Sequence, residues 1–256
     1  MTLLLCPIAL QAAQLVPSNA MITSRTGSVS MAADTQGKGT KPGIREIILP
    51  TGSKWNTAED ATVFLAFSNG VGLGIDAASE VHCVEYSQRP FRENEEGFEY
   101  EPSVSKLHIK LNSGQIAISG NQLSPLSDVK VILPVGSIKV HKGSHLIRYD
   151  SLGLFVATSK GNLSYEYLDG RSREFVTSGK TVFITERTAA NKQIAKTGSI
   201  NELKSETVIL MQATDHASRR VIFKANDDSG NPPQPVMIVR PEYFQQASLR
   251  PYQFLD

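Results

Sequence analysis

The second half of the chain is punctuated by glycine. Gly136, Gly143, Gly153, Gly161, Gly170 and Gly179 fall 7 to 10 residues apart, and the segments between them are rich in Val, Ile, Leu, Phe and Tyr. That spacing is too tight for parallel strands joined through helices, because such a crossover takes a dozen or more residues. Similar runs extend from about 45 to 186: REIIL, TVFLAFS, VGLGI, EVHCVEY, KLHIKL, QIAIS, DVKVIL, SIKVH, HLIRY, LFVATS, NLSYEYL, REFVTS and TVFIT. Each is about the length of one strand, and helical periodicity is scarce. The expectation is an all-β fold, a solenoid-like twisted stack of short strands over 22–186, followed by a mostly irregular C-terminal tail over 187–256.

The stretch FLAFSNGVGLGI (64–75) carries Gly70, Gly72 and Gly74. A dinucleotide-binding loop needs a strand, a G-x-G-x-x-G turn and then a helix whose free N–H groups meet the pyrophosphate. Here the spacing is G-x-G-x-G, and strand-like residues follow. Asn69-Gly70 instead favours a two-residue hairpin turn. Such a turn would pair Phe67 with Gly72 and Leu65 with Gly74, each bulky side chain covering a glycine. TSGKT (177–181) imitates the end of a phosphate-binding loop but has Glu174 where the first glycine belongs, and VFIT follows it, so it too reads as a turn between strands. No cofactor is expected from either motif.

Other polar groupings are sparse. His141 and His145 are four apart, but Gly143 lies between them and the flanks are strand-like, so they read as solvated turn histidines rather than metal ligands. No G-x-S-x-G nucleophile motif is present, and the dense cluster of carboxylates lies in segment 88–105, where crowding argues for solvation, so catalysis is not expected. That segment, QRPFRENEEGFEYEPSVS, reads as an exposed acidic loop. Its Phe91, Glu93, Glu95, Glu96, Phe98, Glu99, Tyr100 and Glu101 are the candidate partner-binding residues. Past Thr188 the chain turns polar. Ser199-Ile-Asn-Glu202 is a possible capping box for one short helix, and VMIV a lone strand. Such a tail cannot build a core by itself.

Lys and Arg total 26 against 25 Asp and Glu, a net charge of +1, so no overall field draws the chain to nucleic acid or anionic lipid. Only Cys6 and Cys83 are present, which cannot form a disulfide framework. The first 20 residues hold an apolar run from Leu3 to Leu10 and end in Ser18-Asn19-Ala20, similar to an export signal and its cleavage site. No Lys or Arg precedes Arg25. The segment is therefore either a signal peptide, or its remnant, or the buried edge of an intracellular protein. The run is too short for a transmembrane span, which needs about 20 apolar residues.

The order of these runs resembles the FecR-domain family. The resemblance lies in TAEDATVFLAFSNG (57–70) followed by Ser79-Glu80-Val81, then EPSVSKLHIKLNSGQIAIS, VILPVGSIKVHKGSHLIRY, LFVATSKGNLSYEY and FVTSGKTVFI. It covers about 45–186, and 22–186 if TSRTGSVSM is the leading strand. Gly143-Ser-His-Leu146 departs from the family's pattern by lacking its threonine and aromatic. The likeness is to the extracytoplasmic β-module alone, without the cytoplasmic and transmembrane parts of the sigma regulators. It implies a non-catalytic, extracytoplasmic protein-interaction module of the bacterial envelope, periplasmic or secreted, bound to another cell-envelope protein through strand edges or the acidic loop. A carbohydrate- or cell-surface-binding β-module of the envelope is the alternative, although aromatics are only 7% and Trp55 is the sole tryptophan. The oligomeric state is left open.

Overall fold

The computed structural model describes residues 15–33, 39–91, 101–221, 223–225 and 237–239. Strands dominate: β1 (Val16–Pro17), β2 (Ala20–Thr26), β3 (Val29–Ala32), β4 (Ile47–Ile48), β5 (Ser53–Thr57), β6 (Thr62–Phe67), β7 (Gly72–Ile75), β8 (Glu80–Gln88), β9 (Ser105–Gly120), β10 (Asp128–Leu133), β11 (Gly136–Asp150), β12 (Gly153–Glu166), β13 (Arg173–Thr177), β14 (Lys180–Ile184), β15 (Lys196–Ser199), β16 (Phe223–Ala225) and β17 (Met237–Val239). Among the described residues two α-helices, α1 (Glu186–Ala190) and α2 (Ser205–Arg219), follow β14 and precede β16. The fold is all-β, as its sequence language implies, and β1–β15 form one connected sheet.

Three long strands give that sheet its shape. KLHIKL and QIAIS are one strand, β9; SIKVH and HLIRY are β11; LFVATS and the start of NLSYEYL are β12. The first half of β9 pairs with β8 and β10, its second half with β7 and β11. β11 and β12 likewise change partners midway, from β10 and β13 at one end to β9 and β14 at the other. Two rows result: β3-β5-β8-β9-β10-β11-β12-β13, and β4-β2-β6-β7-β9-β11-β12-β14-β15. One continuous apolar cluster draws on both, with Trp55, Val81, Leu107, Val131 and Tyr165 from the first and Ile22, Leu65, Leu73, Ile118, Val156 and Ile184 from the second. The rows therefore face each other across a shared core.

Gly143 and Gly161 explain why β11 and β12 bend instead of ending. They lie opposite each other, at φ of +120° and +73°. A Cβ on Gly143 would overlap the Lys160 carbonyl, and one on Gly161 the Lys142 carbonyl. Only glycine permits so close an approach at positive φ. His145, read from sequence as a solvated turn residue, is instead a fully buried strand residue beside this bend. Its Nδ1 lies 3.1 Å from Thr158 Oγ1 and its Nε2 3.2 Å from the Lys142 carbonyl. Parity explains the burial, because His145 and Ile147 share the inward face of β11.

The hairpin at Asn69-Gly70 forms in a different register from that expected. Phe64 faces Gly74 and Ala66 faces Gly72, with Leu65 opposite Leu73. The loop holds three residues, Ser68, Asn69 and Gly70. Phe67 N donates to the Val71 carbonyl (2.8 Å) and Gly70, at φ +84°, donates to the Phe67 carbonyl (2.9 Å). Three-residue loops of this kind end in a left-handed glycine. Ser68 is withdrawn from the ladder because it is needed elsewhere: Ser68 Oγ lies 2.7 Å from Tyr86 Oη and donates to Gln88 Oε1 at 2.7 Å. Asn69 Nδ2 donates to Ser105 Oγ at 2.9 Å, and its backbone N–H reaches Tyr86 Oη at 2.9 Å. This network ties the hairpin to β8 and β9.

The outer face of the second row is unusually small and apolar: Gly72, Gly74, Ala117 and Ala157, with Phe64 and Leu146 beside them. α2 lies across it, burying Leu210, Met211, Ala213, Thr214 and Ala217. Burial of Leu210 and Met211 contributes about 2 kcal/mol each. The helix runs for 15 residues and is separate from the turn announced by Ser199-Ile-Asn-Glu202, which is a single 3-10 turn capped by Ser199. A true capping box opens α1, where Thr185 and Thr188 each accept the other's backbone N–H. TSGKT lies across the β13–β14 turn.

Candidate functional site

Of the residues singled out in the acidic segment, Glu93, Glu95, Glu96, Phe98, Glu99 and Tyr100 lie outside the described residues. The other two are engaged within the fold. Phe91 packs, partly buried, against a cluster of Met21, Ala66, Val221 and Phe223. Glu101 accepts from Ser127 Oγ (2.6 Å), the Ser124 N–H (2.8 Å) and Ser105 Oγ. Burial raises its pKa, against the opposing pull of those hydrogen bonds. Its carboxylate thereby joins the start of β9 to the turn before β10.

The outer face of the first row is polar. His108 Nε2 lies 2.7 Å from Asp128 Oδ2, Lys139 is 3.6 Å from the same carboxylate, Lys130 is 3.4 Å from Glu166, and Lys106 is 2.8 Å from Glu85. These are cross-strand pairs: His108 faces Lys130 and Glu85, and Lys130 faces Lys139. Among the described residues, no group of three His, Cys, Asp or Glu side chains converges as a metal would require.

This face ends at β13. β13 pairs with β12 in unbroken antiparallel register, Phe175 opposite Ser164 and Val176 opposite Leu163. No strand pairs with its other edge among the described residues. Val176 enters the core, whereas Phe175 is 60% exposed. Its ring lies 6.2 Å from that of His141, at an interplanar angle of 23°. His141 Nε2 is 3.1 Å from Ser164 Oγ. The His141 pKa is lowered, first by burial and then by the nearby charges of Lys139 and Arg173. An aromatic platform flanked by Lys139, Arg173 and the opposing carboxylate of Glu166 thus borders an open strand edge.

The other terminal edges are blunted. β4 has 2 residues, with Arg45 at φ +68° just before it and Pro50 just after. β3 is bridged by Thr40, and β15 has 4 residues. Short or covered edges resist pairing with other chains; β13, with 5 residues, has neither protection. Phe175 escaped the sequence analysis because one apolar residue in an alternating strand looks the same whichever way it points.

A groove of about 890 Å³ runs between α2, the 3-10 turn and the bend of β11 and β12. Its lining includes the apolar Ile200, Leu203, Val208 and Met211 and the polar Ser144, Lys160, Asp215, His216 and Arg219. Asp215 fastens the helix to the sheet: Oδ1 accepts from Ser119 Oγ at 2.7 Å and from Asn121, while Oδ2 pairs with Arg219 at 2.8 Å.

No helix of the described residues is long and apolar enough to cross a membrane. No known family and no curated protein matches the chain by sequence. Two crystal structures of a candidate anti-sigma factor from Parabacteroides distasonis ATCC 8503 are similar to it, at 9% and 8% identity with TM-scores of 0.42 and 0.41. Each likeness covers 57% of this chain and 59% of that one, so the chain spans under two thirds of their length. At that similarity, the likeness bears on neither activity nor partner.

Proposed function

We propose that this protein is a non-catalytic interaction module of the bacterial cell envelope that captures an extended segment of another protein at the free edge of β13. The supporting observation is the coincidence there of an unprotected, regular edge with the exposed Phe175 ring stacked on His141. Edge backbone groups supply affinity in strand addition, and alternate side chains supply specificity. Arg173 and Phe175 share the outward face two residues apart, with Lys139, His141 and Glu166 beside them. The complementary strand carries a carboxylate opposite Arg173 and an apolar side chain opposite Phe175. The apolar amino-terminal run and the FecR-like order of residues support an extracytoplasmic setting.

Selection from a random heptapeptide library displayed on phage tests this reading. The expected consensus places Asp or Glu two positions from an aromatic or aliphatic residue. Arg173→Glu shifts the acidic position toward Lys or Arg, and Phe175→Asp weakens binding of the selected peptides at least tenfold. A consensus unmoved by either substitution contradicts the proposal.

A further inference from the structure

The groove beside α2 is separate from the β13 edge and is divided by chemistry along its length. The same helical stripe that supplies Val208 and Met211 at one end supplies Asp215, His216 and Arg219 one to two turns later. The facing wall follows the same order: Ser144 and Lys160 are cross-strand partners beside Ser119, which holds Asp215, whereas Ile200 and Leu203 pack on the cluster that contains Met211. At the polar end Asp215 is paired with Arg219, whereas Lys160 has no ion-pair partner among the described residues. The polar end is therefore net positive. The volume of about 890 Å³ lies within the range of small-molecule sites.

From this we infer a binding site for a single-chain anionic amphiphile: an alkyl chain lies between the half-buried Ile200, Leu203 and Val208, and its carboxylate or phosphate head meets Lys160 and the Ser144 hydroxyl. The ligand enters as a monomer, not as part of a bilayer. The groove is walled on two sides by α2 and the β11–β12 bend, whereas a membrane surface would require apolar side chains on a protruding face.

Calorimetric titration of the full chain with sodium decanoate and with decyltrimethylammonium, both below their micelle concentrations, tests the site. Decanoate is expected to bind with unit stoichiometry and at least tenfold tighter than the cationic analogue. Lys160→Glu, at an exposed position, should abolish or invert that preference without shifting the thermal midpoint; Leu203→Asp should remove binding of both. Equal affinity for the two amphiphiles, indifference to Lys160→Glu, or binding to phosphatidylglycerol vesicles without binding to decanoate would each overturn the proposal.

Discussion

Thr214 of α2 stands directly over Gly74 of β7. A methyl group on Gly74 would overlap the Thr214 hydroxyl and come within 3.0 Å of the Phe64 ring, and one on Gly72 would lie 2.5 Å from the Thr214 carbonyl. Gly72 and Gly74 of GVGLG thus admit a helix to the sheet. Gly74→Val should overpack this contact, with a loss of about 1–3 kcal/mol. Hydrogen exchange would show faster exchange across 205–219, while β11 and β12 keep their protection. Unchanged exchange in α2 would show that the contact does not hold the helix.

This relationship also shows where sequence reading stops. Strands were legible because Val and Ile alternation and Gly or Asn turns are local signals. At Gly143 and Gly161 the same residue type marks a bend within a strand, and nothing nearby distinguishes the two uses, so in sequence β11 and β12 each look like two strands. α2 is illegible in sequence because the residues that receive it, Gly72, Gly74, Ala117 and Ala157, gather only once β7, β9, β11 and β12 are in order in the sheet. Its own buried face mixes Leu210 and Met211 with Ala213, Thr214 and Ala217, which is a weak helical stripe. The β13 edge was illegible for a related reason: an edge is defined by the absence of a neighbour, which is a property of topology.

His145 makes stability depend on pH. Burial lowers its pKa from 6.5 to about 4, so the unfolded chain binds this proton more readily than the folded one. Stability contributed by the neutral imidazole is complete above pH 6.5 and falls as pH drops from 6.5 to 4, by about 3 kcal/mol. Asp128 and Asp169, whose pKa values are lowered, lose their contribution only below about pH 4. Denaturant titrations of wild type and His145→Phe across this range check the point. The variant should show a flatter profile between pH 4 and 6.5, whatever its absolute stability.

Gly143→Ala should be among the most damaging single-methyl changes, because the added carbon meets the Lys160 backbone at a bend with no slack. A loss above about 3 kcal/mol is expected from combined overlap and unfavourable φ. Gly179→Ala meets no atom within 4 Å at φ +80°, so it carries the conformational cost alone, about 1 kcal/mol. Chemical denaturation of the two variants separates the effects.

Cys83 should be inert in the folded protein. It is 2% exposed in the core, and burial pushes its thiol pKa up to about 12, whereas the thiolate is the reactive species. In a Cys6→Ser background, labelling by N-ethylmaleimide at pH 7.5 should follow the rate of global opening and rise with denaturant. Rapid labelling under native conditions would contradict the burial of β8.

Capture of a strand by β13 is read most directly from backbone amides. A selected acidic-apolar heptapeptide, bound at saturation, should slow hydrogen exchange at residues 173–177 and leave the edges β4 and β15 unchanged, with the effect abolished by Phe175→Asp. Protection confined to β4, β15 or the 88–105 segment, or none anywhere despite binding, would contradict it.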